Sequence, residues 1–267
     1  ERVAQQAVAQ LREISAQNVA PDQQEQAFTR QVETLGELLD LLALRNDPAA
    51  DAVREQVEAG DFDTARRLLR ESLTAQSGDA GDAALAAADA TALGLMAEMT
   101  LDYDRATDYY RQAQQLAPDN GDALNRLGLL ELERGHGVDA FDLFRRALAV
   151  DRRTAGARSP QVAYGHNNIG RALTAQGQPR EALAEYEQAL ALYDAAGPGF
   201  VSERADVYNN LGTARHALDE SVGAISAFER RRRTRSAFET ARLGRGIGFA
   251  GSWWTRGRRF AISVGRT

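Results

Sequence analysis

The chain has 267 residues, is 43% hydrophobic and carries a formal charge of −6. This length supports one large domain or one extended array. The absence of cysteine excludes disulfides and thiolate metal sites. All 32 basic residues are arginine, which points to a GC-rich bacterial source. Helix formers dominate the first 230 residues, and runs of alternating β-branched residues are missing, so an all-α fold is expected. No apolar stretch approaches the ~18–20 residues of a membrane span. The N-terminus carries no signal-peptide core, and a cytoplasmic location is expected. The chain begins at Glu1 rather than Met, which leaves room for it to be a fragment.

Residues 1–45 form an expected N-terminal helical segment with two apolar stripes. The first is Val3, Val8, Leu11 and Ile14; the second is Phe28, Val32, Leu35, Leu38, Leu39 and Leu42. Pro21 separates them and suits the first turn of the second helix. A helical cap on a repeat array fits this pattern. A coiled coil is the alternative, although that needs more sustained heptads.

From residue 46 the chain repeats itself. Leu93-Gly94, Leu127-Gly128, Ile169-Gly170 and Leu211-Gly212 recur at spacings of 34, 42 and 42. Twelve residues after each glycine stands Ala106, Ala140, Ala182 or Ala224; four further on stands Tyr110, Phe144, Tyr186 or Phe228. Ala113, Ala147 and Ala189 follow, with Arg231 in the fourth place. Small residues let two antiparallel helices cross closely, and the aromatic fills the space between hairpins. Seven residues after each glycine come Leu101, Gly135, Gly177 and Asp219, where a turn is expected. The glycines suit a helix end that needs positive φ. A fifth, degenerate unit is read from Gly60-Asp61-Phe62-Asp63-Thr64-Ala65, Leu69 and Ser72. A single hairpin cannot bury its apolar face, so the units must stack.

These residues resemble the tetratricopeptide repeat, over about residues 46–230. Asp102-Tyr103-Asp104-Arg105-Ala106 through Leu116-Ala117-Pro118-Asp119-Asn120 carries the second helix and exit of that family. Asn167-Asn168-Ile169-Gly170 and Asn209-Asn210-Leu211-Gly212, in 42-residue units, are similar to kinesin light chains. The resemblance implies a right-handed α-solenoid with one degenerate and four clear units. It also implies a concave groove lined by the first helices, which binds a protein or peptide ligand. The resemblance further implies that Asn125, Arg126, Asn167, Asn168, Arg171, Asn209 and Asn210, by their places relative to the glycine column, face that groove. Asparagine amides donate and accept, so they pair with a peptide backbone without reading its sequence. Arginines add carboxylate contacts. The competing reading is that the asparagines bond neighbouring helices. The lysine clamp that some relatives use is absent, because the chain has no lysine.

No catalytic constellation, cofactor motif or metal set is expected. His136, His166 and His216 do not recur at the spacing that puts two ligands on one helix face. Gly244-Arg245-Gly246-Ile247-Gly248 lacks the strand and Lys-Ser/Thr of a phosphate loop. The leading expectation is therefore a protein-interaction scaffold without small-molecule substrate. The alternative is a sensor or regulatory segment of a larger bacterial signalling protein.

Residues 1–230 hold 22 arginines against 37 acidic residues, a charge of −15, and such a body does not grip nucleic acid. Residues 231–267 hold 10 arginines against Glu239, a charge of +9, with both tryptophans at Trp253-Trp254. This abrupt change reads as a shifted reading frame, as a basic tail for nucleic acid or anionic membrane, or as a capping helix with a disordered end. The nucleotide sequence around codon 230 separates the first from the others.

Overall fold

The computed structural model describes residues 5–45, 47–77 and 82–243, with side chains through residue 236. Trp253, Trp254 and the Gly244–Gly248 run lie outside the described residues. The described residues form twelve α-helices and one short 3₁₀ turn, with no strand among them. They group into two compact units, residues 1–123 and 124–267.

In the first unit, α1 (Gln5–Asn18) and α2 (Gln24–Arg45) make a hairpin. Pro21 sits in the turn between them, not in the first turn of α2. Leu35, Leu38 and Leu42 are buried as the second stripe requires, with Val32 beside them. The first stripe is rotated by one residue: Ala7, Leu11 and Ser15 face inward, and Val8 and Ile14 are half-buried. Ser15 explains the rotation. Its hydroxyl donates to Gln31 Oε1, and Gln31 Nε2 donates 2.8 Å to the Met99 carbonyl, so a polar relay joins α1, α2 and the end of α5.

The repeats follow as α3 (Pro48–Glu58) with α4 (Phe62–Gln76), and α5 (Ala83–Met99) with α6 (Tyr103–Leu116). α7 (Gly121–Glu133) and α8 (Gly137–Thr154), α9 (Pro160–Ala175) and α10 (Pro179–Ala196), and α11 (Val201–Ala217) and α12 (Ser221–Leu243) make the rest. Each of these five hairpins closes through a three-residue turn whose middle residue has positive φ: Gly60, Leu101, Gly135, Gly177 and Asp219. In each turn the third residue's N–H reaches back to a carbonyl of the first helix, as Gln178 does to Leu173 at 2.9 Å. These are Schellman closures, which satisfy the orphan carbonyls of the helix end. Asp61 and Asp102 then cap the next helix through Thr64 and Arg105 N–H. The turn positions read from the sequence hold, and two of them place a non-glycine residue in the left-handed region.

The glycine column packs as expected. A Cβ built on Gly94, Gly128, Gly170 or Gly212 would lie 2.4–2.6 Å from the ring of Tyr110, Phe144, Tyr186 or Phe228. Only a glycine admits the ring at that distance. Tyr110, Phe144 and Tyr186 are sealed, and Ala113, Ala147 and Ala189 are fully buried beneath them. α12 runs without a break through Arg231–Arg235. Arg231 is half-buried, and so is not confined as the alanines of its column are.

The sealed tyrosines give a prediction. Burial pushes the Tyr186 phenol up to about 12 from an ordinary 10.0, although a bond with Thr174 and the nearby Arg171 pull the other way. Tyr110 is raised by burial and by Glu98, whose carboxylate accepts its hydroxyl at 2.5 Å. An acid with a raised folded pKa keeps its full stabilising effect below its unfolded pKa and loses it as pH rises. Stability is therefore expected to fall between pH 10 and 12, by roughly 2–3 kcal/mol from Tyr186. Denaturation curves across that range should be flatter with pH in Tyr186→Phe than in the parent.

Candidate functional site

The seven residues expected to line a groove all lie in the second unit, on the first helices α7 (from Leu124 onward), α9 and α11. α9 is held by the second helix of the preceding hairpin. α9 lies antiparallel on α8: Gln176, just past the end of α9, donates Nε2 to the Gly137 carbonyl at the start of α8, at 2.9 Å. Near the other end, a Cβ on Gly165 would meet Leu148 of α8 at 2.9 Å. Phe144, Ile169, Tyr186 and Leu211 belong to one apolar cluster behind this face.

The structure brings some of the expected residues together and buries others. Asn210 donates from Nδ2 to Asn167 Oδ1 at 3.0 Å, which ties α11 to α9. Arg171 donates to Asn168 Oδ1 at 3.3 Å, within α9. Asn168 is fully buried, and Asn125 and Asn167 are 7% and 8% exposed. Arg126, Arg171, Asn209 and Asn210 are half-buried and reachable from solvent. Part of the asparagine set therefore bonds within and between helices. Two amide atoms stand apart: Asn125 Oδ1 and Asn168 Nδ2 are buried with no hydrogen-bond partner.

A second polar network was not legible from the spacing. His166, in a slot that is usually apolar, is buried in α9. Its Nδ1 lies 2.6 Å from Glu185 Oε2 of α10, and its Nε2 lies 3.1 Å from a guanidinium nitrogen of Arg152 on α8. The guanidinium can only donate, so Nε2 accepts and the ring proton sits on Nδ1, aimed at Glu185. One imidazole thus joins three helices next to Asn167. The odd polar residue at an apolar position was the available signal; its partners, 14 and 19 residues away, carried none.

Glu131, His136 and Asp139 bring three potential ligand atoms within 4.8 Å of one another at the α7–α8 turn. Glu131 already accepts from His136 Nδ1 at 2.7 Å and from Arg134 at 3.4 Å. The positive end of α8 adjoins them, which favours carboxylates and opposes a cation. The arrangement reads as a helix-end ion pair. No described helix is long and apolar enough to cross a membrane.

Family models for the tetratricopeptide repeat match residues 120–195 and 167–237. A bovine protein, BBSome complex member BBS4, is 26% identical over 129 residues; the match covers 48% of this chain and 22% of that protein. The chain thus spans about a fifth of that relative's length. Among solved structures, BtubC (BKLC) from P. vanneervenii is similar at a TM-score of 0.63 and 21% identity, covering 79% of this chain and 92% of that one. A Podosopora anserina kinesin light chain with nearly identical TPR-like repeats is similar at 0.58 and 18%, covering 75% and 98%. MamA from Desulfovibrio magneticus RS-1 is similar at 0.55 and 17%, covering 74% and 96%. At these identities the likeness shows the fold, an all-α solenoid of stacked hairpins. By its repeat columns, its fold and the models that match it, the chain is a tetratricopeptide-repeat protein with units like those of kinesin light chains in its C-terminal half.

Proposed function

We propose that this chain is a protein-interaction scaffold that holds an extended partner peptide across α7, α9 and α11. Arg126, Arg171, Asn209 and Asn210 make the first contacts, and Asn125, Asn167 and Asn168 lie beneath them. The observation that supports this reading is the pair of unpartnered amide atoms, Asn125 Oδ1 and Asn168 Nδ2. A buried polar group without a partner costs about 1–3 kcal/mol, and native structures leave few. A peptide backbone offers the donor that one lacks and the acceptor that the other lacks. Arg171 covers Asn168 through its own bond. A carboxylate on the ligand draws that guanidinium outward and opens the amide below it.

The test is selection of dodecamers from a displayed random library on the immobilised full chain. Binding of the selected peptides is then measured with Arg171→Ala and with the double variant Asn168→Ala/Asn210→Ala. Each is expected to weaken binding by about 1–3 kcal/mol, roughly 5- to 150-fold, with little change in thermal melting. If melting collapses while the surviving fold binds as before, the amides serve the stack and the groove reading fails.

A further inference from the structure

The second helix of an inner hairpin is covered by the first helix of the next. In the second unit α9 covers α8, and α11 covers α10. The rings at the centre of those covered faces, Phe144 and Tyr186, are 0% and 1% exposed. Phe228 occupies the same place on α12 and is 38% exposed, with Ile225 at 59% one turn earlier. The counterparts of Ile225, Phe141 and Leu183, are half-buried. Val222 differs in kind: its counterpart Val138 is also solvent-facing at 63%, so its exposure belongs to the outer edge of every hairpin. The Ile225–Phe228 patch is the part of α12 that the repeat pattern would cover.

The chemistry of the cover follows from what replaces the inner residues. Arg231 stands where Ala147 and Ala189 are sealed, and Arg232 stands where Leu148 and Leu190 pack. Arg233 faces Glu229 of the same helix at 3.6 Å. A first helix covering α12 as α9 covers α8 must answer these guanidiniums with acceptors, as His166 of α9 answers Arg152 of α8 at 3.1 Å. The inner pairs also fix direction, because α9 runs antiparallel to α8. A helix seated the same way on α12 begins beside Arg231 and Arg232 and ends beyond Ile225. Its first turns are where a helix best carries carboxylates, since its positive end is there.

We propose that the Ile225–Phe228 face of α12, flanked by Arg231 and Arg232, docks an amphipathic helix of a partner protein. That helix carries acidic residues in its first two turns and small apolar residues after them. A second copy of α12 is a poorer occupant, because its own arginines would approach this cluster.

The experiment uses the full chain and two synthetic 18-residue helices that share an alanine–leucine face. One has three glutamates in its first two turns; the other has lysines there. The glutamate helix is expected to bind, at least tenfold tighter than the lysine helix. Ile225→Glu should lose the glutamate helix without a change in melting, because the side chain is exposed. Arg232→Glu should reverse the preference between the two probes. Equal binding of both probes, or a preference unmoved by Arg232→Glu, overturns the proposal. So does a concentration-dependent dimer that Ile225→Glu abolishes, which would make a second copy the occupant. A shift of tryptophan emission in Ile225→Glu also overturns it, since Trp253 and Trp254 are the only tryptophans and the cover would be the chain's own C-terminal segment.

Discussion

Arg45→Ala is expected to destabilise the first unit by about 3–5 kcal/mol, the usual result of leaving one member of a buried ion pair alone. The Arg45 guanidinium bonds Asp89 and also lies 2.9 Å from Asp47. Its side chain is 6% exposed and that of Asp89 is fully buried. Ser72 donates to the second Asp89 oxygen at 2.6 Å, and Asp47 caps α3 through the Ala50 N–H at 2.8 Å. The end of α2, the start of α3, and the bodies of α4 and α5 therefore meet at one arginine. Burial by itself lowers the arginine's pKa, but Asp89 and Asp47 outweigh it and raise the value. Without Arg45, Asp89 keeps only a hydroxyl against the whole cost of its buried charge. The triple variant Arg45→Met/Ser72→Ala/Asp89→Leu should recover most of the loss, because apolar replacement of a buried pair is often neutral or better. Denaturant titration followed by circular dichroism checks both. A drop below about 1 kcal/mol in Arg45→Ala would show that water reaches Asp89 and that the network is superficial.

Gly170→Ala should destabilise the second unit by about 2–3 kcal/mol, although alanine is favoured over glycine in a helix by about 1 kcal/mol. The new Cβ would sit 2.5 Å from Tyr186 Cε1 and 2.8 Å from Cδ1. The ring is 1% exposed, and its hydroxyl lies 3.1 Å from Thr174 Oγ1, so it has nowhere to turn. Overpacking of this kind typically costs 1–3 kcal/mol or more. Two comparisons isolate the cause. In a Tyr186→Leu background the same substitution should cost far less, which a double-mutant cycle measures. Gly212→Ala should be milder, since its Cβ meets Phe228, whose ring is 38% exposed and can shift. If Gly212→Ala and Gly170→Ala cost the same, close approach to the ring does not set the column.

The glycine column and the turns were legible because each rests on a local geometric demand that recurs. A ring against a helix backbone admits only glycine, and a three-residue closure needs one left-handed residue. Repetition at 34 and 42 residues turned weak local signals into a strong one. Leu101 and Asp219 show the limit of composition, since register alone marked them as turn residues. The Arg45–Asp89 network was not legible, because its members lie 44 residues apart in positions without periodic meaning. Phase with the glycine column nominated seven residues for one face, but their degree of burial depends on neighbours that phase does not show. Asn168 is fully buried and accepts from Arg171, and Asn167 is engaged because Asn210 reaches it. The α1 stripe was off by one residue because Ser15, polar by type, turns inward to Gln31.

The identical three-residue closures of five hairpins make chain length a one-sided variable. The connections at the opposite ends of the helices differ: residues 117–120 after α6, 155–159 after α8, and 197–200, with a 3₁₀ turn, after α10. The additional residues of the longer repeats lie almost wholly in the helix ends that adjoin these connections, as in the 18 residues of α8 and α10 against 14 in α6. A Schellman closure has no slack, because one more residue would break both back-reaching bonds. Insertion and deletion, whether by evolution or in a linker-scanning library, are thus channelled to one edge of the repeats. Tags, epitopes or grafted loops belong after α8 or α10, while the same graft at Gly135 or Gly177 would unseat a hairpin.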